Sequence, residues 1–282
     1  MMALRELSVQ DIPLGMAFKK MAGWNQLPAD WEILLSLSQG GSYLATWQGK
    51  PAGTVTTIQY PGPFSWIGMV LVDPQYRGLG IGTGLLRAAI DYAQSTGPVL
   101  LDATPKGRKL YLTLGFSDIC PLERLEADRL AIPSRANDPH IIPIRPDLLA
   151  ACIEYDRLHF GARRDGLLRA LWSNAPDYGW ACLQDGKVKG YCLGRPGSRF
   201  DQIGPVVADD TVTARALLLA AARNIPGKPV IVDIMSEQIR WRSWLLELGF
   251  TVQRPFTRMS LGEWAAQRDR SGQFAIAGPE FG

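Results

Sequence analysis

Seven consecutive residues, Arg77-Gly78-Leu79-Gly80-Ile81-Gly82-Thr83, carry the strongest chemical signal in this sequence. They join an apolar, strand-like run, "SWIGMVLV", to a run in which Leu85, Leu86, Ala89, Ile90 and Ala93 keep helical spacing. Glycine at such a junction lets backbone N–H groups converge on a ligand that a Cβ would hold away. The helix N-terminus behind it favours negative charge. A pyrophosphate suits both features. Three phosphate-binding patterns compete for the stretch. A P-loop needs Lys after its last glycine, and none follows. A dinucleotide fingerprint, G-x-G-x-x-G, puts Thr83 or Leu85 in its final position, so neither register fits. Asp102 nevertheless lies at about the ribose-binding distance, which keeps a nicotinamide-dependent oxidoreductase as an alternative. The third pattern, (Arg/Gln)-x-x-Gly-x-(Gly/Ala), is filled from Arg77 to Gly82.

The elements that must hold this loop follow from periodicity. "DIPLGMAFKKMAGWNQLPADWEILLSLSQ" predicts two short helices broken near Gly23 to Pro28. "SYLATWQGKPAGTVTTIQY" predicts a hairpin about Gly49 to Pro51. "SWIGMVLV" and "PVLLDA" are apolar enough to be strands buried on both faces. "RKLYLTLGF" predicts a helix ended by Gly115. The second half then repeats the order: a hairpin about Gly186, a strand "IGPVVADD", a helix "TARALLLAAARN", a strand "KPVIVDI" and a helix "RWRSWLLELGF". Gly49 and Gly186, Val72 and Ala208, Asp102 and Asp233, and Gly115 and Gly249 are separated by nearly one interval. Two copies of one fold are expected, spanning 1–125 and 146–282, with a linker at 126–145 in the Pro- and charge-rich stretch from Pro121 to Pro146.

Composition fits two soluble domains: 282 residues, 46% hydrophobic and 20% charged, with a formal net charge of +3. That charge and the absence of a Lys/Arg run argue against a nucleic-acid surface, and no apolar stretch is long enough for a membrane span. No secretion signal is read at the start, so a cytoplasmic location is expected. Four cysteines without a C-x-x-C pair and two histidines argue against a metal site, leaving reduced thiols packed as small hydrophobes.

With its flanks, "VLVDPQYRGLGIGTGLL" and the later "LYLTLGF", the sequence resembles the GNAT superfamily of acetyl-CoA-dependent N-acetyltransferases. The resemblance implies an α/β (α+β) fold of two GNAT-like domains, each a mixed, mostly antiparallel sheet flanked by helices. It assigns Val70, Leu71 and Val72 to a splayed strand that pairs with the pantetheine arm. Arg77, Gly78, Leu79, Gly80, Ile81, Gly82 and Thr83 become the pyrophosphate loop, and Tyr111 the acid that protonates the departing thiolate. Thr104 stands where many members carry a cofactor-contacting Asn. The strand "SWIGMVLV" lacks the Glu that several relatives place there, so Asp102 is the candidate general base. "GWNQLPADW", with Trp24 and Asn25, matches the helix pair that covers the acceptor.

The second half lacks the Arg and all three motif glycines and carries Trp244 near the place of Tyr111. Indole is no acid here, so this copy is expected to bind no CoA and to shape an acceptor pocket, with Asp156 and His159 as acceptor contacts beside Arg163 and Arg164. This matches a tandem bacterial arrangement with a degenerate C-terminal domain. The function implied is acetyl transfer from acetyl-CoA to a primary amine of a small molecule; a non-catalytic acyl-CoA sensor is the alternative. The sequence leaves a homodimer open.

Overall fold

A computed structural model of the chain describes residues 1–61, 64–132, 138–224, 227–264 and 270–282. The first half runs β1 (Met2–Glu6), α1 (Ile12–Met21), α2 (Pro28–Leu37), β2 (Tyr43–Trp47), β3 (Lys50–Tyr60), β4 (Phe64–Val72), α3 (Ile81–Ala93), β5 (Val99–Ala103), α4 (Pro105–Thr113) and β6 (Ser117–Ala127). The second half repeats it with β7 (Ile141–Pro143), α5 (Pro146–Phe160), α6 (Asp165–Asn174), β8 (Trp180–Gln184), β9 (Lys187–Arg195), β10 (Asp201–Ala208), α7 (Thr211–Arg223), β11 (Val230–Met235), α8 (Ile239–Glu247) and β12 (Thr251–Leu261), then adds β13 (Gln273–Ala275). Periodicity located the two hairpins and, in each half, the strand–helix–strand–helix run that follows, but not β6, β7, α6, β12 or β13. The amphipathic α3, for example, buries Leu85, Leu86, Ala89, Ile90 and Ala93 against the sheet. All four cysteines are free and buried.

The strands form one sheet in the order β1-β2-β3-β4-β5-β12-β6-β11-β10-β9-β8-β7, with β13 paired to β10. The centre of that order shows a reciprocal exchange. β6 leaves its own half and pairs antiparallel with β11, while β12 returns to pair with β5 and also with β6. Two equivalent buried ion pairs brace the exchange. Arg124 of β6 is bidentate to Asp233 of β11, and Arg258 of β12 is bidentate to Asp102 of β5, each at 2.7–2.9 Å between register neighbours. The expected linker at 126–145 therefore opens inside β6 and closes after β7; its residues 133–137 lie outside the described residues. Pro121 and the charges after it resemble loop composition, but Pro121 sits within β6 opposite Thr257.

Only two register pairs join the parallel neighbours β4 and β5, Ser65 with Val99 and Trp66 with Leu100; beyond them the strands diverge. A β-bulge reinforces the divergence. The β3–β4 register slips by one residue near Met69, whose φ is +47° and whose carbonyl accepts from the Thr54 hydroxyl at 3.0 Å. Bulges of this kind commonly re-aim a strand beside a site.

Candidate active site

The wedge between β4 and β5 opens into a cleft of about 700 Å³. The bare junction forms one end of it. Gly80 is the N-cap of α3 and supplies no side chain to it, and the first intrahelical bond runs from Gly84 N to Gly80 O, so the N–H groups of Ile81, Gly82 and Thr83 have no acceptor within the helix. Gly78 (φ +82°) and Gly80 (φ +78°) lie in the left-handed region, and a Cβ at either would meet nothing within 4 Å. The conformation requires glycine, and the space it leaves is open to a ligand. These are the features a pyrophosphate needs. Placing alanine at Gly80 costs about 1–2 kcal/mol of backbone strain and projects a methyl group into that space. Gly80→Ala is expected to weaken acetyl-CoA binding about 10-fold, read by calorimetry. An unchanged Kd would remove the loop from the site.

Val70, Leu71, Val72, Arg77, Gly78, Gly80, Ile81, Gly82, Thr83 and Thr104 all line this one cleft. Leu79 does not; it points outward and is 45% exposed. Thr104 caps α4, its hydroxyl accepting from Gly107 N at 3.2 Å. Tyr111, on α4, is 8% exposed and packs its ring edge near Phe116. Burial pushes its pKa up, so the phenol holds its proton. Its hydroxyl forms no hydrogen bond within the described residues. Behind the cleft lies a smaller cavity of about 40 Å³, and Trp24, Val70, Asp102, Thr104 and Tyr111 line both spaces. Tyr111 thus stands at the seam between a long cleft and an inner chamber.

Other expected site residues have different roles here. Both oxygens of Asp102 are bonded to Arg258, at 2.8 and 2.9 Å. Accepting a proton would disturb that pair, so the geometry gives Asp102 a structural part as a brace to β12. Trp24 lines the seam, but Asn25 turns away, fastening residues 199 and 200 through hydrogen bonds to their backbone. Asp156 is buried on α5, bonded to Arg164 at 2.8 Å and to the Tyr191 hydroxyl at 2.6 Å, and it does not reach the cleft. His159 packs on Tyr155 and lies against residue 272. Arg163 forms an exposed pair with Asp165.

The inner cavity also contains Gln26, from the acceptor-covering stretch "GWNQLPADW", and two residues that the sequence did not point to, Arg254 and Glu280. Glu280 arrives on the segment after β13, which is stitched to the first half. The Tyr60 hydroxyl donates to Phe281 O at 2.6 Å, and Trp66 Nε1 to Pro279 O at 3.0 Å. A Cβ on Gly68 of β4 would come within 2.9 Å of Glu280 O. The strand that lacks its own carboxylate thus has one laid against it. A lone glycine in a buried strand was the available signal, since it marks close backbone approach.

Two sequence models match the chain: one described as "Acetyltransferase (GNAT) family" over residues 9–116, the other as "Acetyltransferase (GNAT) domain" over residues 152–275. The chain is a tandem member of the GNAT family. Its general chemistry is accordingly N-acetyl transfer. A Bacillus subtilis (strain 168) protein named as the uncharacterized N-acetyltransferase YitH is 29% identical to this tandem GNAT protein over 193 residues, 67% of each chain. Among solved structures, one from Pyrococcus horikoshii described as an acetyltransferase covers 100% of this chain and 96% of its own, with TM-score 0.84 at 22% identity. A tandem GNAT protein from the clavulanic acid biosynthesis pathway covers 93% and 98%, with TM-score 0.64 at 14% identity. At those identities the structures establish the shared fold.

The second GNAT copy keeps the wedge and fills it. β10 and β11 share two register pairs, Asp201 with Val230 and Gln202 with Ile231, then part; β13 occupies the gap, pairing with β10, and Ile276 N donates to Asp233 O at 2.9 Å. At the helix end, Asp210 caps α7, its carboxylate accepting from Thr213 N at 2.8 Å. A fixed anion stands where the first copy has open glycines.

Proposed function

We propose that the first copy uses acetyl-CoA as donor and acetylates a primary amine of a small molecule by direct attack, with Tyr111 as the acid. The observation that carries this is the single continuous path from the open N-terminus of α3, along the unpaired edge of β4, to the free hydroxyl of Tyr111 and the chamber behind it. Gly78 to Thr83 would hold the pyrophosphate and the β4 edge the pantetheine arm. Acetyl-CoA supplies an activated thioester. An amine entering from the inner chamber forms the new C–N bond as the C–S bond breaks. Backbone N–H groups at the bulge of β4 polarise the carbonyl, and Tyr111 passes its proton to the sulfur, which leaves as a thiol. The ammonium gives up a proton to solvent before it attacks, the nitrogen loses a second to solvent as the amide forms, and solvent returns a proton to Tyr111.

The second copy is read as a scaffold for the acceptor chamber, since its wedge and its helix end are both filled from within. One acetyl-CoA per chain is therefore expected by calorimetry, and acetyl-CoA is expected to raise the melting temperature while NAD leaves it unchanged. Two bound equivalents would overturn the assignment of the copies. Binding of acetyl-CoA without CoA thiol release from any amine would favour the sensor reading.

A further inference from the structure

Four arginines and four acids surround the inner chamber, and their pairing is uneven. Arg124 with Asp233, and Arg258 with Asp102, close as bidentate pairs. Arg195 is shared: its Nε reaches Asp30 Oδ1 at 2.7 Å and its Nη2 reaches Glu280 Oε1 at 2.6 Å. One buried cation thus serves two buried carboxylates, of which Glu280 lines the chamber. Lys19, the nearest other cation to Asp30, directs its Nζ to Trp24 O and Ser198. Glu280 is 3% exposed, and its Oε2 has no hydrogen-bond partner among the described residues; the same is true of Gln26 Oε1.

The opposite imbalance lies at Arg254. It has no ion-pair partner among the described residues, and its buried Nε donates no hydrogen bond. Its guanidinium lies over the Phe256 ring at 5.0 Å, with Arg124 over the same ring at 5.5 Å. Burial, and Arg124 alongside, bring Arg254 down to about 10. A second cleft of about 300 Å³ shares Arg124 and Arg254 and adds Arg199, with Glu126 as its carboxylate.

We propose that the acceptor is a small amine that itself carries an anionic group, a carboxylate or a phosphate, with its ammonium held at Glu280 and Gln26 and its anion at Arg254. The proposal rests on the acetyl-transfer reading above. Buried polar atoms without partners are costly, and the orphaned atoms lining this one chamber are two acceptors, Glu280 Oε2 and Gln26 Oε1, and one donor, Arg254 Nε. A zwitterion supplies both missing partners at once. A polycation would meet Arg254 with like charge, and a neutral amide would leave Arg254 unanswered. Arg254 and Glu280 come from the second half of the chain, and Gln26, Met69 and Tyr111 from the first, so the chamber exists only in the assembled two-copy fold.

The test uses the full chain with acetyl-CoA, following CoA thiol release with α-, β- and γ-amino acids, phosphoethanolamine, the matching amino acid amides, and spermidine. At least one anion-bearing amine is expected to exceed its uncharged counterpart about 100-fold in kcat/KM, and the carboxylate and phosphate arms identify the anion. Arg254→Gln is expected to abolish that ratio by lowering only the anion-bearing amine, whereas Glu280→Gln lowers both kinds of acceptor. Arg254 has no structural ion pair to lose, so its ratio decides the matter even if Glu280→Gln fails to fold. Equal use of amine and amide overturns the inference. So does preference for spermidine, or no turnover of any acceptor by a chain that binds acetyl-CoA. Failure to bind acetyl-CoA would instead overturn the acetyl-transfer reading on which it rests.

Discussion

Tyr111→Phe is expected to lower kcat by about 100-fold or more, the usual contribution of a positioned general acid, while the Kd for acetyl-CoA stays within about 2-fold. The hydroxyl makes no hydrogen bond within the described residues, so its removal leaves no protein group unpaired. The ring keeps its packing beside Phe116, and the fold should be unaffected. What is lost is the proton delivered to the leaving sulfur. Burial raises the Tyr111 pKa, so the phenol is the populated form from neutral pH well into the alkaline range. The native pH–rate profile should consequently show no falling limb from this residue below about pH 10, the ordinary tyrosine value. Tyr111→Phe should depress the whole profile without moving it. Unchanged turnover in the variant, or a falling limb near pH 8 that the variant abolishes, would remove Tyr111 from this role.

The glycine junction was legible in the sequence because its signal is local. Glycine at positions 78, 80 and 82, a strand before and a helix after are enough to specify a bare helix N-terminus, wherever the rest of the chain goes. The duplication was legible for the same reason, since each hairpin and helix carries its own periodicity. The exchange of β6 and β12 was not. "SDICPLERLEA" and "TVQRPFTRMSL" each hold a proline and arginines, and read alone they suit a solvated loop. Arg124 and Arg258 can be buried only because carboxylates from the opposite halves meet them, a pairing that no short window contains. The matching interval from Asp102 to Asp233 was visible, but Asp102 looked like a base, whereas each of the two aspartates braces an exchanged strand. The inner chamber was hidden still more deeply. Gln26 lies in the quoted "GWNQLPADW", but Arg254 and Glu280 come from an exchanged strand and the last few residues described, and only the assembled sheet brings the three together.

The exchange makes a stability prediction that separates it from a simple pair of domains. Arg258→Ala leaves the Asp102 carboxylate buried and unpaired in the middle of the sheet, and is expected to cost about 3–5 kcal/mol of unfolding free energy. It also removes the guanidinium stacked 4.8 Å from the Trp66 ring, so tryptophan fluorescence should report the change directly. β12 belongs by sequence to the second half and by pairing to the first, so neither half can complete its sheet without the other. Chemical denaturation should accordingly show one cooperative transition in the native chain, and Arg258→Ala should move that single transition as a whole. The double variant Asp102→Leu with Arg258→Met should recover much of the loss, because it replaces an orphaned charge with apolar contact. Two well-separated transitions, or a loss below about 1 kcal/mol, the range of exposed ion pairs, would mean that the crossed strands do not bind the halves together. A second consequence follows for the site. Asp102 lines the cleft from β5, and its brace to β12 sets how far β5 stands from β4, so residual activity in Arg258→Ala should fall further than stability alone accounts for at temperatures where the variant remains folded.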